Sequence, residues 1–334
     1  VGKTGATHVE ADAEQIVIDD MVRGRVTFES DGIGDFVIVK SDGIPTYNFA
    51  VVVDDTTMDI SHVVRGEEHL SNTPRQLLLY QALGLKAPRF AHVSLILGKD
   101  RSKMSKRHGS TSVKNYRAAG YLPQGLVNFL ALLGWSPEGE EELFSMAELE
   151  ARFDLDRVAK NPAVFDMDKL NWIDHQHIQR TDDATLARMA LPYLVEAGYV
   201  GEDADLARIA RVVAVVKTGL DHVSQIVERA ELFFFARAVD EPSAKAHLDE
   251  ESVAPMLRAF VEVLQAKEEL TPEAVKKCFK ETMKETGLKG KQVFMPVRVA
   301  LTGVTSGPEM HELIPVLGVE EVKARIFAST GLEL

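Results

Sequence analysis

Residues 60–110 read "ISHVVRGEEHLSNTPRQLLLYQALGLKAPRFAHVSLILGKDRSKMSKRHGS", and the alternation of apolar runs and turn residues within them decides the fold. "ISHVVRG" has the composition of a short buried strand. "SNTPRQLLLYQALG" predicts a helix: Ser71 or Asn72 can cap it, Pro74 suits its first turn, and Gly84 ends it. "RFAHVSLILG" is a second strand. A β–α–β unit of about 40 residues implies a parallel pair joined by a right-handed crossover. Ligands of open parallel sheets sit outside the carboxyl ends of the strands. That is where "KDRSKMSKRHGS" begins, a loop dense in lysine and arginine.

Upstream, "QIVID", "RVTF" and "DFVIV" are β-branched and aromatic runs separated by the turn signals "RG" and "SDGIG", and they predict strands. "SDGIPTYNFAVVVDD" predicts a turn and then a strongly apolar strand. From Ser112 onward the pattern predicts helices only. "YLPQGLVNFLALLGW" starts one near Pro123, and "SMAELEARF", "ATLARMALPYLVEAG", "DLARIARVVAVVKTGL", "SQIVERAELFFFARAV", "EESVAPMLRAFVEVLQAK", "TPEAVKKCFKETMKETG" and "VEEVKARIFASTG" repeat apolar residues at helical spacing. The expected class is α/β followed by all-α, with no fixed-period repeat.

The chain has 334 residues, 45% hydrophobic and 27% charged, which suits two or three globular domains. Its one cysteine, Cys278, excludes an internal disulfide and, with scattered histidines, argues against a thiolate zinc site. No apolar run reaches the length of a bilayer span, and a cytoplasmic protein is expected. The net charge of −13 opposes nonspecific nucleic-acid binding, but screening lets a partner feel local charge. Two basic clusters stand out, Arg101–Arg107 and Lys276–Arg298. The opening "VGKTGATHVE" contains "GKT", yet only Val1 precedes it, so the upstream glycine and strand of a phosphate loop are missing. The abrupt start without methionine reads as a fragment.

In "KMSKR", Lys103 and Lys106 flank Ser105. Lysines are flexible point charges for phosphate, and a pair of them can follow charge developing on a leaving pyrophosphate. A solvated surface turn is the plain alternative. Downstream, Lys276, Lys277, Lys280, Lys284, Lys289, Lys291 and Arg298 lie at spacings that fit either a solvated helix face or a phosphate-contacting surface.

"KMSKR" resembles the KMSKS signature of class I aminoacyl-tRNA synthetases, with arginine in the last place. "SDGIPTYNFAVVVDD", "HVVRGEEHLSNTPRQLLLYQALG", "GYLPQGLVNFLALLGW", "NPAVFDMDKLNWID" and "KGKQVFMPVRVALTG", in that order, resemble bacterial-type glutamyl-tRNA synthetases from about Gln15 to the C-terminus. The resemblance implies the C-terminal half of a Rossmann-type catalytic domain. The implied parts are a remnant connective domain (1–45), the second catalytic half (46–110), a helical stem-contact domain (111–175) and a helical anticodon-binding domain (176–334). No HIGH-type signature is found, so the resemblance also implies an N-terminally truncated chain, inactive by itself.

The implied function is ATP-dependent activation of glutamate and its transfer to the 3′ end of tRNA(Glu), by a cytoplasmic monomer without membrane contact. The alternative is a noncatalytic tRNA-binding module derived from the synthetase. A glutaminyl relative of the usual type ends in β-barrels, and a queuosine-specific relative lacks the anticodon domain.

The resemblance assigns phosphate chemistry to Lys103, Ser105, Lys106 and Arg107, and ATP contacts to Lys106, Met104, Glu68 and His69. His69 fits equally as a polar residue capping the next helix. Glutamate contacts fall to Arg65, whose guanidinium can grip a carboxylate with two bonds, and to the Tyr47 hydroxyl. The alternatives are an ion pair of Arg65 with Glu67, Glu68 or Asp55, and a core role for Tyr47. Arg298 is expected to reach an anticodon base, with Lys289 and Lys291 on phosphates. In "IDDMVRGRVTF", Asp19, Asp20 and Arg23 face the acceptor stem or form a strand–turn network. Mg2+ accompanies ATP, with no carboxylate pair marking its place. No zinc or other metal site is expected, since the spacing of His62, His69 and His92 fits no common metal motif.

Overall fold

The computed structural model describes residues 7–9, 15–104 and 112–334. They divide into two compact units, Val1–Ala118 with Pro123–Asp174, and Ala119–Leu122 with His175–Leu334.

In the first unit, β1 (Thr7–Val9) pairs antiparallel with β4 (Phe36–Val39), while β2 (Gln15–Asp20) and β3 (Gly24–Glu29) form a hairpin from Gln15↔Glu29 to Asp20↔Gly24. The Asp20 carboxylate closes the turn by accepting from the Val22 and Arg23 N–H groups at 3.0 and 2.8 Å. The β–α–β unit is present. Strand β5 (His62–Gly66) runs parallel to β6 (Arg89–Val93), from His62↔Arg89 to Gly66↔Val93, with α2 (Thr73–Ala82) between them in sequence. Pro74 sits in the first turn of α2, and Gly84 follows its end with φ +65°.

Five expectations need correction. The apolar run after "SDGIPT" is not a strand but helix α1 (Tyr47–Thr57), started by Thr46 in extended conformation. Five apolar residues in a row fit either state. The helix wins because only one side is buried: Val52 is 0% exposed and its neighbour Val53 is 37% exposed. Val52 packs with Ile38, Leu79, Tyr80 and Phe90. Strand β5 is not buried, since Val64 is 52% exposed; among the described residues its one ladder partner is β6. Neither Ser71 nor Asn72 caps α2: residues Glu67–Asn72 already wind as a 3-10 turn, and Asn72 is helical (φ −83°, ψ −28°). The strand "RFAHVSLILG" breaks after Val93 and resumes as β7 (Ile96–Leu97), because the Leu95 N–H donates to Glu67 Oε1 (3.2 Å) instead of a ladder. Lastly, one strand does follow Ser112, the two-residue β8 (Ala163–Val164), parallel to β7. Two residues carry no periodicity to read.

The remaining described helices of this unit are α3 (Val113–Ala118), α4 (Pro123–Leu132) and α5 (Met146–Arg152), and the residues of α6 (Met167–Arg180) fall on both sides of the division. Helix α5 opens with a reciprocal capping box between Ser145 and Glu148. Trp135, Phe144 and Leu149 form a satellite core.

The second unit is helical among the described residues: α7 (Asp183–Glu196), α8 (Leu206–Val216), α9 (Ile226–Phe234), the short α10 (Pro242–Lys245), α11 (Val253–Gln265), α12 (Pro272–Thr286), α13 (Gly290–Thr302) and α14 (Met310–Thr330). Their burial follows the 3.6-residue repeat. In α8 the buried residues are Ile209, Val212, Val213 and Val216. In α11 they include Met256, Leu257, Phe260, Val261 and Leu264. Asp205 and Thr271 cap α8 and α12 with side-chain oxygens. Helix α14 is broken at Gly318 (φ +78°), so that "VEEVKARIFASTG" is its second segment. These faces enclose one core that includes Phe260 and Phe279, 4.8 Å apart at their ring centres, and the exposed Phe294 ring stacks 4.2 Å from that of Phe279 at its edge.

Candidate functional site

The carboxyl end of the β5–β6 pair carries a chain of side-chain contacts centred on Arg65, the fourth residue of β5. Its Nε donates to His92 Nε2 (3.1 Å), and its Nη2 donates to Thr73 Oγ1 (2.7 Å), Gln76 Oε1 (2.9 Å) and, at 3.5 Å, the His69 carbonyl. Helix α2 places Thr73 and Gln76 here because both lie on its buried face, three residues apart. Gln76 is held in turn by Asn48 of α1, whose Oδ1 accepts from Nε2 at 3.0 Å. The guanidinium packs 5.5 Å from the centre of the Phe90 ring.

The expected alternative, an ion pair of Arg65 with Glu67, Glu68 or Asp55, is not formed. Glu67 pairs with Arg23, Glu68 with Lys103, and Asp55 accepts from the Tyr80 hydroxyl at 3.4 Å. Burial pushes the Arg65 pKa down, and the nearby Tyr47, Asp55 and Tyr80 oppose that shift. The Tyr80 phenol is pushed up to about 12, first by burial and then by Asp55.

Other predicted residues gather round this centre. Tyr47 is not a core aromatic: it is 52% exposed, with its ring 6.1 Å from that of His69. Glu68 and Lys103 are joined at 3.6 Å. Lys103 comes back toward Glu68 because the chain turns sharply after β7. Leu97 bridges to Lys103, the Met104 N–H donates to the Ile96 carbonyl (3.0 Å), and Arg101 takes the left-handed conformation (φ +60°). Ion pairs this exposed contribute little to stability. Ser105, Lys106 and Arg107 lie outside the described residues, and so does the centre of the basic loop.

A pair not foreseen in the sequence stands behind Arg65. Asp20 and His92 are both buried, and Asp20 Oδ2 lies 2.6 Å from His92 Nδ1. The His92 N–H also donates to the same carboxylate. Burial works against the Asp20 charge, but the N–H groups of Arg23, His92 and Val22 and the His92 ring outweigh it, and the pKa lies below the usual carboxylate value. Burial pushes His92 down, with Arg65 and Arg23 adding to the shift and Asp20 opposing it. Asp20 therefore belongs to the strand–turn network. Arg23 joins it, donating to Glu67, to Ser94 Oγ at 3.2 Å and to the His92 carbonyl at 3.4 Å, whereas Asp19 is exposed.

In the second unit a cleft of about 460 Å³ opens between the end of α8, the side of α9 and the segment that joins α13 to α14, with Thr218, Arg229, Arg237, Ser306 and Pro308 among its walls. Gly303 permits its shape: it has φ +77°, and a Cβ there would fall 1.9 Å from the Arg237 carbonyl oxygen. Arg298 stands beside the cleft, its Nη1 donating to the Pro308 carbonyl at 2.9 Å, which leaves most of its donors unused. Lys289 and Lys291 are exposed at the start of α13. Lys291 and Arg298, seven residues apart, fall on one side of that helix, about 10 Å apart along its axis. Sequence reading missed Arg229 and Arg237, which belong to α9 and the segment after it rather than to the basic run. In the first unit, an apolar pocket of about 190 Å³ lies among Ser94, Leu130, Trp135 and Phe153.

Among the described residues no three His, Cys, Asp or Glu side chains converge as a metal site. No described helix is long and apolar enough to cross a membrane.

Comparison with known proteins adds two domain matches. Residues 7–172 match the family model "tRNA synthetases class I (E and Q), catalytic domain", and residues 185–329 match "Anticodon binding domain". The glutamate–tRNA ligase 1 of Caldicellulosiruptor saccharolyticus is 57% identical over 316 residues, 93% of this chain and 65% of that protein. The glutamate–tRNA ligase of Desulfitobacterium hafniense is 50% identical over 327 residues, 96% of this chain and 67% of that protein. A crystal structure of a glutamate tRNA ligase from Elizabethkingia meningosepticum, in complex with its amino acid, superposes with a TM-score of 0.80 at 30% identity, covering 96% of this chain and 66% of that one. The chain thus spans about two thirds of the length of the relatives it matches.

Proposed function

The chain belongs to the glutamyl-tRNA synthetase family of class I aminoacyl-tRNA synthetases, and on that premise we propose that it forms the larger part of a glutamate–tRNA ligase. The full-length protein, at the length of its relatives, joins glutamate to ATP, releases pyrophosphate and passes the glutamyl group to the terminal adenosine of tRNA(Glu). In this reading residues 1–45 belong to the connective domain, 46–110 to the catalytic domain, 111–175 to the stem-contact domain and 176–334 to the anticodon-binding domain.

The observation that supports the reading most strongly is the Arg65 guanidinium. It is half-buried at the carboxyl end of a parallel strand, and its hydrogen-bond partners are neutral groups rather than a carboxylate. A cation held this way gains most from a ligand that brings its own negative charge. The side-chain carboxylate of glutamate supplies it, and the Tyr47 hydroxyl orients the amino acid. Glu68 and His69 contact ATP beside Met104. Lys103, Ser105, Lys106 and Arg107 hold the phosphates of ATP, which enters with Mg2+ as part of the substrate. Positioning and electrostatic stabilisation carry the chemistry. Arg298, Lys289 and Lys291 select and hold the anticodon loop; single-stranded loops offer base edges that side chains can reach.

Glutamate-dependent exchange of pyrophosphate into ATP tests this in the full-length protein. Arg65→Leu is expected to abolish glutamate use while the chain stays folded. Lys106→Ala is expected to slow activation by about 2–4 kcal/mol of transition-state stabilisation, with little change in ATP affinity. Normal glutamate use by Arg65→Leu sinks the assignment of Arg65. Absence of exchange by the unmodified full-length protein, together with retained tRNA binding, favours the noncatalytic module.

A further inference from the structure

We propose that Asp20 and His92 are positioning residues for the substrate-binding arginine: Asp20 fixes the proton of His92 on Nδ1, and the bare Nε2 lone pair then aims the Arg65 guanidinium. The proposal rests on the reading of Arg65 as the carboxylate-binding group.

The geometry leaves one consistent assignment. Asp20 Oδ1 accepts from the N–H groups of Val22 (3.0 Å), Arg23 (2.8 Å) and His92 (3.2 Å), so the carboxylate is pinned by the turn it closes. Its other oxygen faces His92 Nδ1 at 2.6 Å. An ionised carboxylate only accepts, so Nδ1 carries the proton. Nε2 is then an acceptor, and the groups around it are donors: Arg65 Nε at 3.1 Å and the Thr73 hydroxyl at 3.1 Å. With Nε tied to the ring and Nη2 to Thr73 and Gln76, the guanidinium plane is set. The β2–β3 hairpin turn thereby reaches the substrate site through two buried side chains.

The arrangement also predicts what Asp20→Asn does. The backbone donors hold the amide oxygen in the place of Oδ1, so the NH2 group turns toward Nδ1. The ring proton moves to Nε2 and points a donor at the Arg65 Nε–H. Inverting a histidine tautomer while keeping the shape is a recognised way to disable a site.

Nitrogen-15 NMR of the His92 imidazole in this chain, identified by its loss in His92→Gln, reads the first half. A protonated Nδ1 with an unprotonated Nε2, reversed by Asp20→Asn, is expected; a proton on Nε2 in the unmodified chain overturns the proposal. Glutamate activation by the full-length protein reads the second half. Asp20→Asn and His92→Met are expected to raise the KM for glutamate about ten- to hundred-fold through misplacement of Arg65, with the KM for ATP unchanged. His92→Gln keeps an acceptor near Nε2 and is expected to recover most of the loss. If Asp20→Asn does not fold, the His92→Gln and His92→Met pair decides alone. Equal KM values for that pair, or a shift in the KM for ATP as large as that for glutamate, overturn the proposal. Should Arg65→Leu leave the glutamate KM unchanged, the reading of Arg65 fails by itself, and the tautomer measurement still judges the dyad.

Discussion

Replacing Arg325 with methionine tests how the second unit holds the ends of its helices together. Arg325 is buried in α14, and its Nη1 donates to the carbonyls of Leu232 (2.7 Å) and Leu301 (3.1 Å), its Nη2 to that of Phe233 (3.3 Å). Those carbonyls lie in the last turns of α9 and α13, where helices leave C=O groups without internal partners and where a cation also meets the negative end of the dipole. Nε is satisfied by Glu321, which is 40% exposed and returns to water when the arginine is replaced. Methionine fills the space of the stem and supplies no donor. Each stranded carbonyl costs about 1–3 kcal/mol. These hydrogen bonds share one side chain and do not add fully, so a loss of about 3–5 kcal/mol is expected, a large part of a typical domain's about 5–15 kcal/mol. Arg325→Lys, with one donor group, recovers part of it. Urea titration by far-ultraviolet circular dichroism measures the loss. Tryptophan fluorescence follows the first unit separately, because Trp135 and Trp172 both lie there. A change below about 1 kcal/mol refutes the reasoning.

Gly303→Ala is expected to cost about 2 kcal/mol or more, since it combines a left-handed backbone with a Cβ 1.9 Å from the Arg237 carbonyl oxygen; an unchanged urea midpoint contradicts that packing. Binding of tRNA(Glu) to the chain is expected to weaken with salt, and Lys289→Glu with Lys291→Glu to flatten the log–log slope by about 0.7–0.9 for each phosphate that is no longer neutralised. Lys103→Glu should flatten it less, and filter binding across a salt series compares them. Burial lowers the pKa of His92, His177 and His222 below the ordinary 6.5. The unfolded chain therefore takes up protons first, so their contribution to stability is complete above pH about 6.5 and is lost as pH falls below it. Urea midpoints should drop between about pH 7.5 and pH 5.5, and a flat profile removes this source of acid sensitivity.

What the sequence made legible was local. The β–α–β unit could be read because Pro74 and Gly84 punctuate its helix and Val, Phe and Leu fill its strands. The helices of the second unit could be read because residues such as Ile209, Val212, Val213 and Val216 keep one face buried over several turns. Helix α1 was misread where the pattern carried no period, in the unbroken "FAVVV". Burial of β5 was misjudged because exposure depends on which strands lie beside it, not on its own composition. The candidate site divided along the same line. Arg65 and Tyr47 were visible as residue types in motifs. That Arg65 rests on Thr73, Gln76 and His92 rather than on Glu67, Glu68 or Asp55 is a tertiary fact.

The Asp20–His92 contact is the instructive miss, because half of its signal was present. Asp19 and Asp20 are the same residue type, adjacent, at the end of one strand, and nothing in their composition separates them. Strand geometry does. Side chains two apart share a face, so Asp20 is in phase with Ile16 and Ile18, whereas Asp19 is in phase with Val17 and Gln15. Ile18 and Asp20 are buried and Asp19 is exposed. A carboxylate in register with a buried isoleucine has to find donors or give up its charge. The donors nearest in sequence are the N–H groups of the turn it begins, which account for one oxygen. The remaining oxygen demands a partner from elsewhere in the fold, and His92, 72 residues away in sequence, meets that demand at 2.6 Å. Register thus identifies Asp20 as the inward-facing member of the pair, while only the packing of β2 against β6 identifies what it holds.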